Sequence, residues 1–390
     1  MVISLIIGIG VSVINTRLLG KEVYGDLKFL QNTFAFALTF VTLGLFYSGG
    51  RLVAKERNPG MKSQLFGSMF VVASLMSLLL TGFFLIFSYP QEEIFNNELG
   101  HYIRLFSPLL LVFPFQMCIE NILQGDNRIY TLSIFRIGPK LLYLVISLIF
   151  TQLFVFTLTS ALFFHLLTIL VLITIIGFRL KPAIRKIRPV FRSIWEENKT
   201  YGFPVYVGAI ASIASTQIAG FTISYFIDNI NVGYFYLAVT AAMPLSLISS
   251  TVGTTFFKDF VHMDKIPQKV FLITIMITLL ALGGFLLVIK PVVLFLYTEE
   301  YISVASLAYY TAIAATFQGL GDFFNRFISA HGYGHKLRNS SFIIATLNIL
   351  GYTLFVFKIG VEGAVITRLL AGVVYCGLML RIYTKTRKNV

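Results

Sequence analysis

Few residues of this 390-residue chain could do chemistry, and most of them stand inside long apolar runs. Gln116, Glu120 and Gln124 recur at four-residue steps, so on a helix they form one polar stripe. Gln318, Asp322 and Arg326 repeat that spacing farther along. Each stripe reads in two ways. It is a cavity wall that handles protons, cations or a polar substrate, or it supplies hydrogen bonds between helices, with Asp322 and Arg326 paired along their own helix. Arg136 and Lys140 stand one turn apart with no acid at matching spacing, and Gly138-Pro139 marks a break there. Two cations on one face suit an anionic ligand; the alternative is snorkelling to nearby headgroups. Arg368 lies between apolar neighbours beside Thr367, and Arg17 closes the first apolar run. Both read as cavity-facing cations or as headgroup anchors. His165 stands alone and suits packing or hydrogen bonding better than proton transfer. His331 and His335 share a Gly-rich turn whose spacing could fit a metal, yet no third ligand is nearby.

The elements that position these residues must be membrane helices. Hydrophobic residues make up 57% of the chain and charged residues only 12%, about half the share usual in soluble domains. Runs of about 20 apolar residues span a bilayer as helices. Twelve are expected, at 1–16, 29–50, 64–88, 103–124, 131–151, 154–177, 203–226, 232–255, 268–290, 303–330, 337–357 and 361–382. They are continuously apolar, whereas the strands of a closed barrel alternate. The predicted class is an all-α, polytopic transmembrane bundle with no room for a large soluble domain.

The net charge of +14 comes from loops between these runs, so it speaks for membrane orientation and against nucleic acid. One alternate set of loops carries Arg51, Lys55, Arg57, Lys62, Arg128, Arg179, Lys181, Arg185, Lys186, Arg188, Arg192, Lys199, Lys258, Lys265, Lys269, Lys336 and Arg338. The tail adds Arg381, Lys385, Arg387 and Lys388. The opposite set holds only Arg17, Lys21, Lys28, Arg104, Lys290 and Lys358. That asymmetry predicts an even span count with both termini cytoplasmic. Met1 leads directly into VISLIIGIGVSVI, so no cleavable signal peptide is expected. Cys118 and Cys376 lie inside apolar runs and read as small buried hydrophobes.

The most basic loop divides the chain into residues 1–178, a cytoplasmic linker at 179–200, and residues 201–390, with six spans on either side. Gly25 and Gly233 stand nearly as far apart as Gly125 and Gly332, which suggests duplication. Two like-oriented halves would be related by an axis along the membrane normal, with a cavity between them. No P-loop, HExxH or GxSxG motif occurs, so neither an enzyme nor a bound cofactor is expected.

Several motifs then carry a resemblance. Arg17-Leu-Leu-Gly20 through Tyr24-Gly25 looks like the R-L-L-G-x-x-x-Y-G segment after the first helix of bacterial polysaccharide exporters. Tyr201-Gly-Phe-Pro204, Asn231-Val-Gly-Tyr-Phe-Tyr-Leu-Ala238, Phe295-Leu-Tyr297 with Glu300-Tyr301, and Gly360-Val-Glu-Gly-Ala364 follow in the right order. Together they resemble the Wzx-type O-antigen flippases of the multidrug/oligosaccharidyl-lipid/polysaccharide (MOP) exporter superfamily. The resemblance implies a MATE-like fold in the bacterial inner membrane. It also implies an undecaprenyl-pyrophosphate-linked oligosaccharide as substrate, moved to the periplasmic leaflet by alternating access. Lys140, Arg368, Arg136, Arg326 and Arg17 would line the substrate path, and Glu120, Asp322, Gln116, Gln124 and Gln318 a polar cavity. A polysaccharide polymerase and a chain-length regulator are the implied protein partners. The alternatives are a cation-coupled multidrug exporter, which needs deep acidic residues in the first half, and a membrane glycosyltransferase or O-antigen polymerase. The latter would carry a large outer loop, and the outer loops here are short.

Overall fold

The computed structural model describes residues 2–185 and 187–386; Lys186, Arg387 and Lys388 of the basic set lie outside them. The described residues are almost wholly helical and include no strand. By packing they divide into two compact units, Met1–Ala214 and Ser215–Val390.

The first unit opens with α1 (Val2–Val41), followed by α2 (Leu45–Lys55) and α3 (Pro59–Phe87). Two spans separated by a loop were expected over residues 1–50. Two helical limbs are present, but they meet directly at Gly20 (φ 71°, ψ 173°) with no loop between them. The stretch from Leu18 to Leu27 has no proline, and a single glycine outside helical geometry makes the bend. The helix ends only at residues 42–44, where Gly44 also takes a positive φ of 79°. Asn58 caps α3, its side chain accepting from the Gly60 N–H at 2.9 Å, with Pro59 at the first helical position.

A short α4 (Pro90–Phe95) leads to α5 (Gly100–Phe106), which continues through a 3-10 turn (Ser107–Leu111) into α6 (Val112–Gly125). Next come α7 (Ile129–Phe150) and α8 (Leu158–Leu180). The break expected at Gly138-Pro139 is absent: α7 runs on with Pro139 buried inside it. Membrane helices tolerate such prolines when neighbours compensate the lost hydrogen bond. A capping box between Thr157 and Ser160 starts α8. After it, α9 (Ile187–Glu197) passes through a π-helical turn (Asn198–Gly202) into α10 (Phe203–Phe226). That turn lies against the end of α1. The Asn198 amide donates to the Leu43 carbonyl at 3.2 Å, and Gly202 meets Gly44 backbone to backbone, leaving no space for a Cβ on either.

The second unit begins within α10, at Ser215, and holds α11 (Asn229–Thr255), the short α12 (Phe257–Phe260), α13 (Gln268–Tyr297), α14 (Ile302–Ala330), α15 (Gly334–Ile359) and α16 (Val361–Thr386). Asp228 caps α11 by accepting from the Asn231 N–H at 2.7 Å. The middle of the unit is α14, against which α11, α13 and α16 pack. Gly319 meets the backbone of Ser246, and Gly372 on α16 meets the backbone of Ala314, the small-residue contact typical of membrane helices. Phe260, Phe323, Phe327 and Tyr383 close one end of the core.

Among the described residues ten helices are long and apolar enough to cross a bilayer. About twelve crossings remain the right description, because α1 carries two limbs and α14 takes the place of the expected tenth span. Gln318, Asp322, Asn325 and Arg326 lower the hydropathy of α14, and its neighbours bury much of it, so it needs little direct compatibility with lipid.

Candidate functional site: interior cations of the two units

In the first unit the stripe on α6 is taken up from across the interface. Arg136 on α7 donates through Nη2 and Nε to Glu120 Oε2, at 2.7 and 3.0 Å. Helical spacing along α7 shows no acid for Arg136 because the acid comes from α6. Gln116 is half-buried and Gln124 exposed, and neither makes a side-chain hydrogen bond among the described residues.

Lys140, one turn beyond Arg136, is exposed but has different partners. Its Nζ donates to Ser4 Oγ at 3.2 Å and lies beside Gly8, both in the first limb of α1. Lys28 follows the kink in the same helix; its ammonium donates to Gln31 Oε1 at 3.2 Å and stands 5.4 Å from the Tyr24 ring centroid. The sequence places Lys28 in an outer loop, whereas the unbroken second limb of α1 carries it in among the helices. His165 on α8 is within electrostatic reach of both lysines. Its ring stands edge-on to Tyr143, whose hydroxyl donates to Asn15 on α1. Among the described residues no carboxylate lies within ion-pair distance of Lys28 or Lys140. Thus α1, α7 and α8 bring together two ammonium groups, an imidazole, a phenol and an amide. Arg17 is exposed on α1, just before the kink.

At one end of this unit, between α6 and α7, Asp126 accepts from Lys62 and from Arg128 Nε, the latter at 2.6 Å. Partial burial pushes its carboxyl up, but the hydrogen bonds and charges of Lys62 and Arg128 outweigh this and hold it below the ordinary aspartate range.

In the second unit the α14 stripe resolves otherwise. Asp322 accepts from the Tyr375 hydroxyl on α16 at 2.8 Å and from Gln318 Nε2 at 3.4 Å. Asn325 donates to the same Tyr375 oxygen at 3.0 Å and accepts from Ser329, extending a chain of hydrogen bonds along α14. The ion pair expected between Asp322 and Arg326 does not form; Arg326 is exposed and acts on the carboxylate only at longer range.

Arg368 is half-buried on α16, within electrostatic reach of the Tyr352 phenol of α15. Tyr236 on α11 is within its electrostatic reach and donates to Gln217 Oε1 at 3.3 Å. One turn before Tyr352, Asn348 donates to Ser215 while its own buried Oδ1 has no partner. A guanidinium set among phenols and amides, with no carboxylate in ion-pair distance among the described residues, can receive an anion by charge-assisted hydrogen bonds. The phenol rings beside it offer faces for sugar stacking.

Lys28, Asn15, Tyr143, Tyr236, Tyr352 and Tyr375 escape the sequence reading. The tyrosines sit in apolar runs and look like core. Lys28 had one usable signal, the absence of any proline between it and Arg17. His331 is held locally, its Nδ1 2.9 Å from the Phe327 carbonyl, and His335 lies edge-on to Tyr333. Among the described residues no group of three or more His, Cys, Asp or Glu side chains could hold a metal.

This architecture has known counterparts. Lipid II flippase MurJ, in an inward closed conformation, superposes with a TM-score of 0.78 at 16% identity, covering 99% of this chain and 87% of that one. An inward-facing MATE family multidrug resistance transporter of the MOP superfamily gives 0.75 at 16% identity, with 99% and 96% covered. A MOP superfamily transporter from Pyrococcus furiosus, described as having a binding pocket of reverse polarity, gives 0.55 at 14% identity, with 99% and 93% covered. At such identities the likeness is one of fold. No curated protein sequence matches the chain. The family model described as "Polysaccharide biosynthesis protein" matches residues 1–257, well over half of the chain. With its MurJ- and MATE-like fold, this multi-pass membrane protein therefore belongs to the polysaccharide biosynthesis protein family.

Proposed function

We propose that the protein is a flippase that carries an undecaprenyl-pyrophosphate-linked oligosaccharide from the cytoplasmic to the periplasmic leaflet of a bacterial inner membrane by alternating access. The cargo is a repeat unit of O-antigen, capsule or exopolysaccharide, and both termini are cytoplasmic. The observation that carries this reading is the set of cations on the membrane helices that have no carboxylate partner among the described residues: half-buried Lys28 and exposed Lys140 in the first unit, half-buried Arg368 in the second. Such groups are costly in a membrane protein unless a charge of opposite sign visits them. The pyrophosphate of a lipid-linked sugar is such a charge. Residues 1–178 and 201–390 act as the two moving halves. With the cell interior negative, each negative charge moved outward gains about 2.3 kcal/mol per 100 mV. Phe and Tyr side chains stack on sugar rings or guide the prenyl tail. The product is consumed by a polysaccharide polymerase under a chain-length regulator.

The fold shared with MATE transporters favours a second reading, a cation-coupled drug exporter. It needs an available carboxylate in the first unit, and there Glu120 is occupied by Arg136. Deletion of the gene separates the two readings. A flippase mutant loses surface polysaccharide and accumulates lipid-linked repeat units on the cytoplasmic face. Normal surface glycan with drug hypersensitivity overturns the proposal.

A further inference from the structure

The basic linker has a definite shape, and α9 within it is two-faced. Val190 and Ile194 are buried, at 5% and 1% exposure, against α2 and α3. On the same side Glu197 Oε1 receives Arg51 at 2.9 Å and Lys55 at 3.0 Å, both from α2. At 100° per residue the opposite face presents Arg188, Phe191, Arg192 and Trp195 as one stripe. All four are exposed, and the Phe191 and Trp195 rings stack with centroids 6.5 Å apart. Arg185, just before the helix, and Ile184, 66% exposed, extend that surface. Glu196 at its margin is engaged by Lys199 at 3.3 Å, so it does not neutralise the arginines.

The level of this helix follows from its neighbours. The face opposite the stripe packs where α2 ends and α3 begins, at the turn between two spans. The preceding segment is tied to the first turn of α3, where the Ser63 hydroxyl donates to the Lys181 carbonyl and the Ala183 N–H donates to the Ser63 carbonyl. At its other end α9 turns into the membrane as α10. It therefore sits where helices leave the hydrocarbon, among lipid headgroups. Exposed aromatic rings settle at that depth, and arginines interleaved with them face phosphate.

We propose that the Arg188–Phe191–Arg192–Trp195 face of α9 is a binding surface for anionic phospholipid headgroups of the adjoining leaflet. Positive charge on the face complements the negative lipid, and the two rings enter the boundary between headgroup and acyl chain. Through Glu197 the bound leaflet is coupled to α2, so lipid composition acts on the first unit. The test of this surface does not depend on what the protein transports.

Trp195 is the only tryptophan in the chain, so the intrinsic tryptophan fluorescence of the full-length protein reports this face alone. Purified protein is reconstituted in phosphatidylcholine–phosphatidylglycerol vesicles in which either the anionic or the zwitterionic lipid carries brominated acyl chains. Brominated phosphatidylglycerol is expected to quench Trp195 more strongly than brominated phosphatidylcholine at equal mole fraction, with roughly five-fold local enrichment per engaged arginine. High salt removes the difference, and Arg188→Gln with Arg192→Gln makes the two lipids equivalent while quenching persists. Equal quenching by both lipids in the unaltered protein overturns headgroup selection. No quenching by either shows a ring facing water and overturns the surface altogether.

Discussion

The polar stripes on α6 and α14 are alike in spacing and unlike in fate. On α6 the carboxylate of Glu120 binds Arg136 of the next helix, and Lys140 one turn away is left without an acid. On α14 the carboxylate of Asp322 binds a phenol and an amide, and Arg326, four residues away on the same helix, stays outside ion-pair distance. Spacing along a helix decides which groups share a face; packing across helices decides which of them remain charged and unmatched. Each unit thus keeps a cation on a membrane helix that no carboxylate neutralises among the described residues, bonded to a serine hydroxyl in one case and beside a phenol in the other.

The largest expected effect tests that shared outcome. Lys140→Ala and Arg368→Ala are each expected to lower export of lipid-linked glycan about ten- to a hundred-fold, the loss of one charge-assisted contact. The measurement is surface polysaccharide in a complemented deletion strain, with membrane insertion checked by blotting. Wild-type export by either variant removes that residue from the path and breaks the parallel between the units. The two sites also differ in kind, because a guanidinium fork at a phenol is not replaced by a point charge. Arg368→Lys is therefore expected to keep the defect, while Lys140→Arg retains partial export.

Next in size is the phenol. Tyr375→Phe deletes a hydroxyl shared by Asp322 and Asn325, and a loss of about 1–3 kcal/mol is expected, read as a lower melting temperature in detergent. An unchanged melting temperature would mean that α14 does not rely on α16 for its polar chain. The Glu120–Arg136 pair should matter less, since the Arg136 side chain is 48% exposed. A double-mutant cycle of Glu120→Gln and Arg136→Gln is expected to give a coupling below about 1 kcal/mol. A larger coupling would make the α6 stripe the more firmly held of the two.

The smallest effect sits outside the membrane. Because the Asp126 carboxyl is held below the usual aspartate value, it contributes stability above the unfolded-state pKa of about 3.9 and loses it as pH falls through the folded value. Melting temperatures followed from neutral pH to about 3 should fall more steeply for the unaltered protein than for Asp126→Asn. Parallel curves would show that Lys62 and Arg128 add nothing to folding.

Hydropathy made the bundle and most span limits legible, because each span must be apolar along its whole length. It misplaced Lys28, since a charged stretch of ordinary helix formers between two apolar runs looks like a loop, and only the geometry of Gly20 shows a bend. It took Gly138-Pro139 for a break, since composition does not show that neighbouring helices support the turn around Pro139. Of the site, Lys140, Arg368, Glu120 and Asp322 stood out by being charged in apolar surroundings. Arg136 stood out too, but not its pairing, because Glu120 comes from another helix; Tyr352 and Tyr375 are indistinguishable by type from core aromatics.

The backbone contact between Gly44 and Gly202 bears on how mutant screens should be interpreted. Even a methyl group at position 202 would collide with Ser48, Asn198 and the Gly44 carbonyl, and position 44 adds a positive φ that side chains resist. Random mutagenesis should therefore score both glycines as essential although neither touches cargo. Such alleles would lose protein abundance together with export, whereas alleles of the interior cations lose export alone. The ratio of transport to abundance, taken allele by allele, separates residues that build the machine from residues that handle its load.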